Sequence, residues 1–314
     1  MHEQGVPSGP VVVTGGCGFV GRAVVRAFRD RGVPVTVIDV KPFPCDDPGV
    51  RSVVGDLADP EVRQAGISEG TAGVVHLAAI TSVLVSAEQP AETFALNVAV
   101  TQELLELCRQ RGVGRFLLAS TNAVVGDIGA GVITESAPLR PLTPYGATKA
   151  AGEMLLSGYS GAYGMVNCAL RFTNIYGPGM ELKDSFVPRL MRAALEGRGV
   201  QVYGDGEQRR DLVHVSDVAA GVLLAWEHEL GGPTIIGAGR SVSVLDIVNA
   251  VREVTGAELP VEHVPAKTGE MPAVIVDISA SADRIGYTPQ MSLRDGLATV
   301  WEDFTARRRV SVRQ

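Results

Sequence analysis

Cysteine is sparse in this chain of 314 residues. Cys17, Cys45, Cys108 and Cys168 share neither CxxC nor zinc-site spacing. That excludes a disulfide scaffold and a cysteine-built metal centre, and leaves reduced thiols in a cytosol as the expectation, with no metal. Long apolar runs are missing too. The longest, residues 72–85, is short for a bilayer span and is interrupted by His, Thr and Ser. Residues 1–10 lack the basic start and apolar core of a secretion leader, so a cytoplasmic location is expected. Positive charge is in deficit, with a formal net charge of −7. A surface of that sign argues against nucleic-acid and anionic-membrane partners, though not against a local basic pocket. What remains is 46% apolar and 20% charged, enough for a sizeable core in one large domain or two interleaved ones.

Short β-branched runs recur along the first half. They are Val11-Val12-Val13, Val35 to Ile38, Val74 to Leu77, Arg115 to Ala119 and Val166 to Leu170. Runs without alternation read as strands buried on both faces. Helical patterns lie between them, over 22–30, 93–111 and 148–163. Strand and helix alternating with short connections predict an α/β fold, a doubly wound parallel sheet. Ligands on such a sheet sit beyond the carboxyl ends of its strands, where Asp39, Ala78-Ala79, Thr121 and Asn174 fall. After residue 174 prolines break the chain into shorter pieces, with helical patterns over 187–196, 215–227, 244–255 and 293–305. A smaller, interleaved α/β substrate domain is expected there. The boundaries expected are 1–173 and 212–240 for the first domain, 174–211 and 241–314 for the second.

The first strand runs into Thr14-Gly15-Gly16-Cys17-Gly18-Phe19-Val20-Gly21. Gly15 permits a tight turn, Gly18 lets backbone approach a diphosphate, and Gly21 lets the helix pack closely on the strand. The helix N-terminus offers free N–H groups to the phosphates. Asp39 closes the second strand. A carboxylate there accepts hydrogen bonds from ribose hydroxyls and repels a 2′-phosphate, which favours NAD over NADP. Asp56-Leu57 follows a third apolar run and suits either the adenine edge or a turn. Cys17, near a helix N-terminus, is either a thiol of lowered pKa or, more simply, a small filler.

Tyr145 and Lys149 are one helical turn apart and share a face. A phenol titrates near ~10 and is a poor base at neutral pH. A neighbouring ammonium and a bound nicotinamide cation both favour the phenolate, so a lowered pKa and a general acid/base role are expected.

These features together resemble an extended short-chain dehydrogenase/reductase, of the NAD-dependent nucleotide-sugar epimerase/dehydratase group. Also carrying the resemblance are Gly55-Asp56-Leu57, His76-Leu77-Ala78-Ala79, Asn97, Ser120-Thr121, Arg171-Phe172-Thr173-Asn174, Tyr176-Gly177-Pro178-Gly179, residues 204–211 and His214-Val215-Ser216-Asp217. They run in the family's order over about residues 10–290. The resemblance implies a Rossmann sheet whose NAD contacts are Gly15, Gly18, Phe19, Val20, Gly21, Asp39, Asp56, Leu57, Leu77, Ala78, Ala79, Asn97, Tyr145, Lys149 and Phe172. It implies a triad of Thr121, Tyr145 and Lys149. Thr121, Tyr145, Asn174, Ser185, Phe186, Gln201, Tyr203, Arg210 and Lys267 are implied to meet the nucleotide sugar. By the same resemblance, Arg210 would clamp its diphosphate and Gln201 and Tyr203 would flank its base. Lys267 stands where the family often has an arginine, so it keeps the charge and loses the fork.

The reaction turns on the residues after Ser120. The group's 4,6-dehydratases carry Thr-Asp-Glu there, and decarboxylating relatives a glutamate. This chain reads Thr121-Asn122-Ala123. Oxidation and reduction at C4 remain, which resembles a UDP-hexose 4-epimerase. Val125 replaces the tyrosine usual in the family, so a sugar pocket that is wider, drier or non-functional there is expected. A 4-ketoreductase that consumes its cofactor is the nearest alternative, and a non-catalytic dinucleotide sensor the most distant. The resemblance also implies a homodimer through residues 98–111 and 150–163.

Overall fold

The computed structural model describes residues 9–265 and 272–311. Its first half carries β1 (Val11–Thr14), α1 (Phe19–Asp30), β2 (Val35–Asp39), β3 (Val50–Val54), α2 (Pro60–Gly66), β4 (Gly73–His76), α3 (Val83–Glu88), α4 (Pro90–Phe94), a π-helical turn (Ala95–Ala99), α5 (Val100–Gln110), β5 (Arg115–Thr121), β6 (Val132–Ile133), α6 (Pro144–Tyr163) and β7 (Val166–Phe172). The second half carries β8 (Asn174–Tyr176), α7 (Phe186–Glu196), β9 (Val200–Tyr203), β10 (Arg209–His214), α8 (Val215–Glu227), β11 (Gly232–Ile236), β12 (Ser241–Ser243), α9 (Val244–Thr255), β13 (Val261–Val264), β14 (Ile275–Val276), α10 (Ser279–Ile285) and α11 (Leu293–Ser311).

Seven parallel strands form the central sheet, in the order β11-β7-β5-β4-β1-β2-β3. The three valines of β1 show why its sequence does not alternate. Val11 and Val13 enter one buried cluster, with Val24, Phe28, Val222 and Trp226 of α1 and α8. Val12 enters the cluster on the other face, with Leu104 and Leu105 of α5 and Leu156 of α6. Both faces exclude water, so both need apolar side chains. The chain is thus the doubly wound α/β sheet that its pattern predicts.

A second lobe lies beyond the carboxyl ends of these strands. Helices α7, α9 and α11 enclose their own core of Leu190, Met191, Val202, Ile247, Val251, Leu297 and Phe304. Two small sheets, β12-β10-β8 and β13-β9, border it. The chain passes between the lobes repeatedly. After β10 it returns to the large sheet through α8 and β11, leaves again for α9, and comes back with Ile285 and Tyr287 in the first core. It ends in the second lobe with α11.

Candidate active site

The glycine loop is shaped for close backbone approach. Gly15 has φ +68°, and a Cβ on it would lie 2.8 Å from the Ala78 nitrogen. A Cβ on Gly21 would run into the Gly15 carbonyl oxygen. Gly18 caps α1 with no side-chain bond, and the first turn holds no acid. Phe19 and Val20 of this first turn line the cleft, and a helix N-terminus carries the positive dipole end, a cradle that fits a dinucleotide diphosphate. Asp39 stands beside the loop. Its carboxylate accepts from the Cys17 amide (3.0 Å) and the Lys41 amide (3.2 Å). The Cys17 thiol donates to the Lys41 carbonyl, and burial, then Asp39, push its pKa up to about 11. A thiol so placed is inert and fills space.

Other predicted cofactor residues have structural bonds. Asp56 accepts from the Ala58 amide at 2.9 Å, closing its own turn, and Leu57 is buried in the core. The Leu77 and Ala78 amides donate to the Thr14 hydroxyl. Asn97 sits in the π-helical turn. Its amide bridges both backbone groups of Ile80 and donates to the Thr148 hydroxyl, tying the loop after β4 to α6.

A cleft of about 1290 Å³ opens between the lobes. Phe19, Val20, Leu77, Thr121, Tyr145, Lys149 and Phe172 line its sheet side. Pro144 opens α6, and the Thr143 hydroxyl caps it by accepting from the Gly146 amide. That cap sets Tyr145 on the first turn, where its phenol hydrogen-bonds the Thr121 hydroxyl from the end of β5. Lys149 follows one turn later, fully buried. Burial pushes the Tyr145 phenol up to about 12, with the Thr121 bond opposing. It pulls the Lys149 ammonium down to about 8. The expected lowering of the phenol is therefore reversed in the protein alone: lost hydration outweighs the Thr121 bond.

Beneath this pair lies a group that the sequence reading did not assign to the site. Glu153, Arg171 and Ser120 form a buried network. Its signal was the continued four-residue spacing from Tyr145 through Lys149 to Glu153.

Asn174, Ser185, Phe186, Gln201, Tyr203 and Arg210 line the opposite side. Asn174 donates to the Asp211 carbonyl (3.1 Å), and Gln201 to the Glu262 carboxylate (3.1 Å). Lys267 lies outside the described residues. The same wall carries Lys183, whose ammonium sits 5.6 Å from the centre of the Phe19 ring, and Arg189, which grips Asp184 with two bonds. Val125 is not on the cleft wall. It is buried with Val124, Ile133 and Val276, so the expected widening of the pocket at this residue is not seen. Among the described residues, no cluster of His, Cys, Asp and Glu is suited to a metal.

Comparison with known proteins places this geometry. The model of the NAD dependent epimerase/dehydratase family matches residues 11–239. The structure of MoeE5 in complex with UDP-glucuronic acid and NAD superposes with a TM-score of 0.87 at 37% identity, covering 95% of this chain and 100% of that one. The UDP-glucose 4-epimerase of Thermotoga maritima with UDP-glucose gives 0.88 at 30%, covering 95% and 99%. A dTDP-glucose 4,6-dehydratase of Streptomyces niveus is 31% identical over 309 residues, 93% of this chain and 91% of the relative.

Proposed function

The chain belongs to the NAD-dependent epimerase/dehydratase family, and from that premise we propose that it inverts C4 of a nucleotide-linked hexose, a UDP-hexose, through a transient 4-keto sugar. The observation that carries this reading is the inventory of acid–base groups in the cleft. Tyr145, on the first turn of α6 and supported by Thr121 at the end of β5 and by Lys149, is the proton-transfer group. Among the described residues, the lining carboxylates are Asp184 and Glu262, held by Arg189 and Gln201 on the far wall. Thr121 is followed by Asn122 and Ala123, so no carboxylate stands beside it. Elimination of water needs a further acid and base at the sugar; reversible oxidation needs one.

NAD, when bound, supplies a reversible hydride acceptor. The residues to hold it are the 15–21 loop for the diphosphate, Asp39 for the adenine ribose, and Lys149 for the nicotinamide ribose. Tyr145 takes the proton from the 4-hydroxyl as the C4 hydride leaves, and a C=O bond forms. Thr121 orients that oxygen by hydrogen bonding. Arg210 and Asn174 hold the diphosphate while the keto sugar turns over. Hydride would return from the reduced cofactor to the opposite face of the ketone, and Tyr145 would give the proton back to the C4 oxygen. Lys149 and the cationic ring of NAD together supply the positive field that offsets burial of the phenolate. Two copies pair through α5 and α6 in this reading, in a cytoplasmic setting. Among the described residues, no helix is long and apolar enough to cross a membrane.

The assay is purified protein with UDP-glucose, UDP-galactose and UDP-glucuronic acid, resolving the sugars. Interconversion of the neutral pair without net NADH production is expected. Turnover of the uronic acid alone would move the substrate to that class, and net cofactor consumption would point to a ketoreductase. Tyr145→Phe should bind NAD as before and lose about 10²–10⁴-fold in turnover. Near-normal turnover in that variant would remove Tyr145 as the base.

A further inference from the structure

We propose that Glu153 and Arg171, with the Ser120 hydroxyl they hold, are positioning residues that lock α6 to the end of β5 and keep the ground beneath Tyr145 electrically neutral. The proposal rests on the reading of Tyr145 as the proton-transfer group.

Tyr145, Lys149 and Glu153 lie on successive turns along one stripe of α6. One Glu153 oxygen accepts from the Ser120 hydroxyl at 2.5 Å and from Arg171 Nε at 3.0 Å. The other accepts from Arg171 Nη2 at 2.8 Å. Both charged side chains are almost wholly buried, 3% exposed for Arg171 and 4% for Glu153. Arg171 Nη1 donates to the Glu135 carbonyl at 3.0 Å, and the Glu135 carboxylate accepts from the Ile235 amide at 3.2 Å. The network therefore ties α6 to β5, β7 and β11.

Ser120 immediately precedes Thr121. The bond from α6 to Ser120 and the bond from Tyr145 to Thr121 thus span the same two elements, two helical turns apart. A slip of α6 that breaks the first misplaces the second, and small displacements of a reacting group cost rate heavily. Stability alone does not explain the pair, because well-packed apolar side chains often serve as well. The anchor does: the Glu153 carboxylate holds the Ser120 hydroxyl, which an apolar side chain cannot, and Arg171 compensates its charge. Around Tyr145 and Lys149, the Thr121 hydroxyl of β5 bonds the phenol, the Ser86 hydroxyl of α3 accepts from the Tyr145 amide, and His76 of β4 lies within the field of Lys149. His76 is held uncharged by burial between the hydroxyls of Thr14 and Thr101. An unpaired charge at Glu153 or Arg171 would set a buried fixed field one turn of α6 beyond the lysine.

The test compares NAD-saturated wild type with Glu153→Gln, Ser120→Ala and the apolar double variant Glu153→Met/Arg171→Met. Two quantities are read: kcat with KM, and ionisation of Tyr145 from phenolate absorbance against a Tyr145→Phe partner of each protein. Glu153→Gln leaves the Arg171 cation uncompensated. It should lower the ionisation pH of Tyr145 by at least ~0.5 and kcat by about 10-fold or more, with KM within ~3-fold. The double variant restores neutrality without the anchor. It should titrate as wild type and keep a low kcat. Ser120→Ala, which touches no charge, should lower kcat several-fold with an unmoved titration and serves if Glu153→Gln does not fold. Wild-type titration in Glu153→Gln, or wild-type kcat in the double variant or in Ser120→Ala, overturns the proposal. The titration needs no sugar, so an absence of epimerase activity in the wild type would count against the function and not against the network.

Discussion

His76 ends β4 with its ring between two threonine hydroxyls, 2.7 Å from Thr14 and 3.1 Å from Thr101. Burial, with Lys149 adding to it, pushes its pKa down to about 3. In the unfolded chain the ring titrates near ~6.5. Between those values the unfolded chain holds a proton that the native one lacks. The native state therefore keeps its full advantage above pH ~6.5 and loses it as the pH falls towards 3, by an amount on the order of several kcal/mol. His214 is shifted the same way by burial. The denaturant midpoint should decline steadily below pH 6.5, and His76→Gln should flatten that decline; an unchanged slope in the variant would refute the assignment. At this scale the sequence revealed what spacing encodes. Tyr145 and Lys149 could be paired because a helix puts residues four apart on one face. The rise of the Tyr145 pKa could not be read, because its cause is the neighbours that exclude water. Val125 misled for the same reason: its surroundings include Ile235 and Val276, both distant in the chain.

Elements with one environment along their whole length were legible. Helices α8 and α9 coincide with their predicted spans, 215–227 and 244–255, because each buries a long apolar stripe. The strands β3 and β11 escaped notice. Residues of β3 are half-exposed at the sheet edge and include Arg51 and Ser52, while β11 begins Gly232-Pro233 at the opposite edge. Edge strands do not need a continuous apolar run. The predicted helix over 93–111 contains a π-helical turn, which no apolar spacing announced. Close packing between elements was legible at Gly21, where α1 crosses the loop. Gly21→Ala would press a methyl against the Gly15 carbonyl and the Gly16 backbone. It should weaken NAD binding by at least 10-fold, read by titration calorimetry, while the thermal midpoint moves by only a few degrees. Unaltered affinity would show that the loop does not meet the diphosphate.

Seen whole, the molecule presents an apolar face on the side of α3 to α6. Leu84, Phe94, Met154 and Tyr163 are each more than half exposed there. Isolated apolar residues are ordinary on a surface, but several on one face suit a partner. A homodimer through α5 and α6 predicts a light-scattering mass of twice 33.0 kDa, falling towards 33.0 kDa for Met154→Glu. A monomeric wild type would remove the pairing.

The repeated passage of the backbone between the lobes has a consequence for anyone recombining this enzyme with its relatives. No single cut separates the lobe of the glycine loop from the lobe built on α7, α9 and α11. A chimera built at one junction inherits fragments of both cores, so exchanging specificity calls for several simultaneous breakpoints or for substitutions confined to the cleft wall.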